Sequence, residues 1–315
     1  MGFSKAGPGL VLADAFDSAL AEIPHSFPHT LPRGKTLFVG ADFGGSHAGQ
    51  LHETYSFVLL DLDQNAEWLS EQRNFRRAMI RSSRRMSFKS LNDRVRRRAL
   101  VPFLQMGNLI SGWLVTFAIS RNQQSLFQKG PVAAEPEQVM LAWKDGVRER
   151  LMRVLHLTGF LLSGLSCAHQ DVLWVTDEDE IASNVDQLTH LTRLFAVIAS
   201  NSISHQLGHL RCATTKSDDG SRAIEDLVAY CDLAAGTTSE AITAMGGQHH
   251  KLQSKIISPA PSNLTWKTRL VTSWLAYDQS PLRRLTCVVD LKSDGRGMKT
   301  QMLRWHALPG NIIAP

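Results

Sequence analysis

The chain has 315 residues, 43% apolar and 20% charged. That composition excludes a disordered or fibrous chain and allows a sizeable core with no disulfide or structural metal. The formal net charge of +5 hides an asymmetry: residues 73–98 hold ten arginines and Lys89 against Asp93, a local +10, so the remaining residues sum to −5.

The first 34 residues are rich in Pro, Gly and His. Asp14 to Ile23 reads as a short helix and Pro24 to Gly34 as a linker, together an N-terminal extension that packs on the domain or stays mobile. Thr36 to Ala41 reads as a buried strand that ends on Asp42, in Asp42-Phe43-Gly44-Gly45. Tyr55 to Leu62 gives a second strand. Ala66 to Ile80 is a helix, Arg81 to Ser90 a loop, and Leu91 to Met106 a helix kinked at Pro102. Gly112 to Ser120 is the third strand, and Asn122 to Glu137 a loop. Gln138 to Ser163 is a long amphipathic helix. Asp171 to Thr176 is a fourth strand running into Asp177-Glu178-Asp179-Glu180, and Val185 to Ile203 a further helix. Cys212 to Ser221 includes a short strand. Arg222 to Ala235 is a helix stopped by Gly236. The chain closes on a helix, Asn263 to Tyr277, and a hairpin of Leu285–Leu291 and Met298–His306 turning at Asp294-Gly295.

Cys167, Cys212, Cys231 and Cys287 are far apart and form no Cys-x-x-Cys pair, which speaks for reduced core thiols in a cytoplasmic protein. No signal-peptide pattern is visible, because Asp14 interrupts the apolar start. The most apolar stretch, Leu151 to Ala168, carries Arg153 and His156 and is too short to cross a bilayer. A membrane is therefore not an expected partner.

Three aspartates stand at element ends or in apolar surroundings. Asp42 ends the first strand, Asp177 ends the fourth, and Asp232 lies between Cys231 and Leu233. A carboxylate in such surroundings requires a cation or hydrogen-bond donors. Acids far apart in sequence meet when parallel strands end at one sheet edge. Carboxylates gathered there suit two magnesium or manganese ions and phosphodiester hydrolysis. Each acid also has a plain reading. Asp-x-Gly-Gly is a common turn, Asp177 to Glu180 can be a solvated helix start, and Asp232 can be tied to a backbone amide. Asp226 reads as a surface residue.

The opening strand, aspartate, glycine turn and strand resemble the first hairpin of RNase H-like domains. The chain further resembles the domain-of-unknown-function 3800 family, a group of RNase H-like proteins suspected to be nucleases. The resemblance covers roughly residues 36–240. It rests on Asp42, on Val175-Thr176-Asp177-Glu178 and on Tyr230-Cys231-Asp232-Leu233-Ala234-Ala235-Gly236. It implies an α/β fold, an RNase H-like mixed sheet flanked by helices, here with a C-terminal helix and hairpin extension. The expected division is an extension over 1–34, the RNase H-like domain over 35–245 and a cap over 246–315. The resemblance implies Asp42, Asp177 and Asp232 as metal ligands and catalytic residues. Two departures stand out. Phe43 replaces a glutamate, and Ser87, in Ser87-Phe88-Lys89, replaces a mid-chain acid. Glu225, seven residues before Asp232 on one helical face, and Asp179 are candidates to fill the gap.

In the basic segment, Arg73, Arg76, Arg77, Arg81, Arg84, Arg85, Lys89, Arg94, Arg97 and Arg98 are candidates for the phosphate backbone of DNA or RNA. A solvated helix face, or a patch for an acidic protein partner or a second copy, is the alternative. His205 and His209 are four apart, a spacing seen in metal sites, but Gln206 stands where a metalloprotease has glutamate. They read as a surface or core feature. His249-His250 reads as a loop, and His52 as a weak proton-transfer candidate.

The leading expectation is a metal-dependent nuclease. One alternative is an inactive nucleic-acid-binding subunit. Another is an ATP-dependent phosphotransferase of the actin-like and sugar kinase superfamily, with Asp42-x-Gly44-Gly45 as its first phosphate loop and Ala235-Gly236-Thr237-Thr238 as a poor second.

Overall fold

The computed structural model describes Phe3 and residues 12–14, 16–17, 34–47, 49–80, 84–123, 140–246, 264–291 and 298–305. Seven strands make one sheet: β1 (Thr36–Gly44), β2 (His52–Asp61), β3 (Gly112–Ser120), β4 (Asp171–Thr176), β5 (Leu210–Thr214), β6 (Leu282–Leu291) and β7 (Met298–Leu303). The helices that bear on the site are α1 (Ala66–Met79), α2 (Arg94–Gly107), α3 (Asp145–Leu165), α4 (Val185–Ser202), α5 (Ala223–Ala244) and α6 (Trp266–Leu275).

The strand order is β5-β4-β1-β2-β3-β6-β7. β1, β2 and β3 are antiparallel neighbours. β4 and β5 continue the sheet in parallel on the β1 side. An antiparallel trio extended by parallel strands beside β1, with helices on both faces, is an RNase H-like mixed sheet. On the other side β6 runs parallel to β3 and antiparallel to β7. The C-terminal hairpin therefore extends the central sheet.

Side chains alternate across each strand. Val39, Phe57 and Trp174 point into one apolar layer with Leu155 of α3 and Phe195 of α4. Phe38, Val58 and Val175 point into the other, with Phe75 of α1, Phe103 of α2, Tyr230 of α5 and Trp274 of α6. Cover on both faces explains why the strands read as nearly continuous apolar runs; β3, between β2 and β6, is buried at every position. Phe3 stacks on Phe160 at 4.8 Å and Phe16 on Phe117 at 5.5 Å, so this part of the N-terminal stretch belongs to the first layer.

Several element boundaries differ from the sequence reading. β1 continues through Asp42 to Gly44, so Asp42 sits in a ladder opposite Ser56 and not in the turn. The turn begins at Gly45, whose φ of 78° suits glycine. α2 starts at Arg94 because the Asp93 carboxylate caps it, accepting from the Val95 and Arg96 amides. α5 runs through Gly236 to Ala244. The linker before Gly34, Arg81 to Ser83, most of the 122–137 loop, His249-His250 and the Asp294-Gly295 turn lie outside the described residues.

Candidate active site

Register brings the first acids together. Ala41 of β1 pairs with Thr176 of β4, and Thr176 with Thr214 of β5. One residue further along stand Asp42, Asp177 and Thr215, a polar row at the carboxyl edge of parallel strands. That edge is where open α/β sheets bind ligands. Asp42 alternates with Phe43 and so faces α5, as Phe38 and Gly40 do. A Cβ at Gly40 would crowd Val58 at 2.9 Å and Phe38 at 3.0 Å, and would meet Val228 of α5 at 3.4 Å. The Cys231 thiol donates to the Gly40 carbonyl at 3.4 Å, and the next residue of α5 is Asp232.

Asp42, Asp232 and Glu225 line one narrow cleft with Arg85, Met86, Thr215, Val228 and Ala229. Its interior of about 10 Å³ matches a single water-sized sphere. Burial holds the Asp42 carboxyl well above the usual range, and the charges of Asp232 and Asp179 raise it further. The Phe43 amide, 2.6 Å from Asp42 Oδ1, and Arg85 pull the other way. Burial also raises Asp232, against the Phe88 amide at 2.6 Å, the Ser87 hydroxyl, Arg85 and Lys267. Two buried, neighbouring carboxyls favour a shared proton or a cation between them.

Asp177 is held differently. Arg85 grips it with both terminal nitrogens, one of them 2.8 Å from Oδ1, and the Thr215 hydroxyl donates to Oδ1 at 2.8 Å. The loop that carries Arg85 is fastened at several points. Arg76 Nη1 donates to the Arg84 carbonyl at 2.6 Å, Arg96 Nε to the Arg85 carbonyl at 2.8 Å, and Lys267 Nζ to the Phe88 carbonyl at 3.1 Å. The Phe88 ring lies on α5 at Gly236, where a Cβ would come within 2.4 Å of it. Close approach, not helix termination, is what this glycine provides.

The remaining candidates are placed as follows. Asp179 accepts from the Ile181 amide at 2.9 Å. Burial pushes it up to about 6, against that amide, Arg150 and the Ala182 amide. Glu225 lies 3.7 Å from Arg76 and 3.3 Å from Arg222. Phe43 packs beside Tyr55, ring centroids 6.3 Å apart, and lies 5.5 Å from the Arg150 guanidinium. It is on the sheet face away from Asp42 and does not line the cleft. Ser87 does border the cleft, through its hydroxyl on Asp232. Among the described residues no group of three or more His, Cys, Asp or Glu has the arrangement of a metal site. With Asp177 engaged by Arg85, the donor set of Asp42 and Asp232 fits one hard divalent cation completed by water or phosphate. It does not fit the pair of ions that three open acids would hold.

The basic segment divides in two. Arg73, Arg77, Arg84, Lys89, Arg94, Arg97 and Arg98 are exposed. Arg85 faces the cleft, and Arg81 lies outside the described residues. Arg76 is a correction: it is buried and grips Asp226, its Nε 2.8 Å from Oδ2. Asp226, read from sequence as a surface residue, is fully buried, because α1 packs against the start of α5 there and the guanidinium meets its charge.

The histidines are absorbed by structure. His52 Nε2 is 2.9 Å from Asp290 of β6, and His205 Nε2 is 3.0 Å from the Ser166 hydroxyl. α4 ends at Ser202, so His205 and His209 share no helical face. Ala235 to Thr238 is helical, which removes the second phosphate loop that the kinase reading needs. Thr215 and Lys267 were not singled out from sequence. A polar pair at the end of β5 was a usable signal for Thr215; nothing local marks Lys267.

No protein-family model matches the chain, and no curated protein does. Among solved structures the chain is similar to the ribonuclease H2 from Pyrococcus horikoshii OT3, with 12% identity, a TM-score of 0.34, and coverage of 79% of this chain and 92% of that one. It is also similar to Bst-RNase HIII in complex with Mn2+, with 11% identity, a TM-score of 0.31, and coverage of 76% and 62%. Likeness at this level assigns no role to any residue; strand order and register define the fold.

Proposed function

We propose that the chain is a nuclease that cleaves the phosphodiester backbone of DNA or RNA at the Asp42–Asp232 cleft. The observation that supports it is the pair of mutually repelling carboxyls at the carboxyl edge of β1, roofed by an arginine-bearing loop. Asp42 and Asp232 would hold a magnesium or manganese ion, and bound there it supplies Lewis acidity at a phosphoryl oxygen. Arg85 faces the same cleft with its fork on Asp177, and its positive charge draws a phosphate toward the cleft. Arg84 and Lys89 lie on the same loop with their side chains in solvent, where they attract the flanking backbone.

The Asp177–Arg85 pair supports a second reading. A guanidinium beside three acids is a built-in cation, and a chain so arranged can bind nucleic acid without cutting it. One experiment separates the two. Labelled DNA and RNA are incubated with manganese or with chelator. Cleavage is expected only with the metal, and Asp42→Asn is expected to lower it by roughly 100-fold or more while binding persists. Cleavage undiminished in Asp42→Asn would refute the site. Binding by the wild type with no cleavage would establish the second reading.

A further inference from the structure

A second basic feature lies apart from the cleft, between α2 and α6. Arg97, Leu264, Trp266, Arg269 and Leu270 line an open groove of about 540 Å³, within the range of small-molecule sites. The Arg97 guanidinium lies 4.7 Å from the centre of the Trp266 ring. Arg269 follows Trp266 by three residues on α6 and so shares its helix face. Leu264 and Leu270 add apolar wall.

We infer that this groove binds one unpaired nucleotide of a single-stranded nucleic acid, an inference that rests on the nucleic-acid reading above. Stacked planar groups, indole and guanidinium, are the surfaces on which splayed bases lie. Arg269, beside this stack, offers its charge to the phosphate of the same nucleotide. Bases inside a duplex present no open face and gain nothing from such a groove. An acidic peptide would use the charges but not the indole.

Helix α6 is linked to the cleft through Lys267 and Phe88. Lys267, next to Trp266, donates to the Phe88 carbonyl, and the Phe88 amide donates to Asp232. This path joins α6 to the loop that borders the cleft, and the occupant inferred for the groove is an unpaired nucleotide. The substrate class this implies is single-stranded DNA or RNA, or a single-stranded stretch beside a duplex.

The test is equilibrium binding by fluorescence anisotropy in chelator, with a labelled single-stranded oligonucleotide and a duplex of the same length. Trp266→Ala is expected to weaken single-strand binding by roughly 5- to 100-fold, the range of one base–aromatic stack, and to change duplex binding by less than about twofold. Trp266→Tyr keeps a ring and is expected to retain most of the affinity. If Trp266→Ala fails to fold by circular dichroism, Trp266→Leu carries the same expectation, since it keeps apolar volume and lacks a π face. An unchanged single-strand affinity, or equal losses on both forms, would overturn the groove and leave the nucleic-acid reading standing. A wild-type protein that binds neither form would overturn both.

Discussion

Arg76 and Asp226 place two charges in the interior, Asp226 fully buried and Arg76 9% exposed. Burial raises the Asp226 carboxyl more than Arg76 and Gln72 lower it, so the pair recovers only part of what desolvation costs. Breaking it is worse than never having it. Asp226→Asn leaves the buried guanidinium with only Glu225, 3.7 Å away, as counter-charge, and unfolding in urea should show a loss that approaches but does not exceed the ~3–5 kcal/mol of a fully broken buried pair. Arg76→Met with Asp226→Leu should recover much of that loss, and a double variant no better than the single would contradict this account. His156 of α3 is the residue for a pH test. Burial lowers it to about 4 from an ordinary 6.5. The unfolded chain therefore takes up the proton first as pH falls. This group costs nothing above about pH 6.5, and stability is lost progressively down to about pH 4, by about 2 kcal/mol near pH 5. His156→Gln should flatten the melting temperature across that window, and an unchanged acid slope would show the histidine to be accessible in the folded state.

At the scale of elements, the strands were legible because each is a short apolar run, and their alternation is hidden only by helices on both faces. What failed was reading glycine as punctuation. Gly236 resembled a helix stop, yet α5 continues because the residue across from it, Phe88, comes from a loop 148 positions earlier. No local pattern carries that. The same limit applied to the acids. Asp42, Asp177 and Asp232 stood out as carboxylates in apolar surroundings, whereas the guanidinium that answers Asp177 sat among nine other arginines and differed from none of them in sequence. Gly236→Ala tests the packing directly. The added methyl must displace the Phe88 ring, which shifts the Phe88 amide from Asp232. Hydrogen exchange should rise across residues 84–90 while the α3 and α4 layer keeps its protection. Equal protection in both proteins would mean the loop does not depend on that contact.

For the whole molecule, the local charge of +10 is not one uniform surface. Arg76 and Arg96 turn inward to hold a loop, Arg85 turns to the cleft, and the exposed set, Arg73, Arg77, Arg84, Lys89, Arg94, Arg97 and Arg98, spreads over α1, the 84–90 loop and α2. Inward arginines act on stability and outward ones on association, so substitutions in the two sets should separate cleanly. The rest of the chain, at −5, repels a polyanion, which confines binding to this side. Affinity for nucleic acid should fall steeply with salt, because each phosphate met by an arginine releases a counterion. Arg94→Gln with Arg98→Gln should reduce the slope of log affinity against log salt by about 2 on a duplex, with no change in melting temperature. Arg76→Gln should do the reverse, lowering the melting temperature. If the double variant left the salt slope intact, the exposed arginines would be a solvated face and the polyanion would have to bind elsewhere.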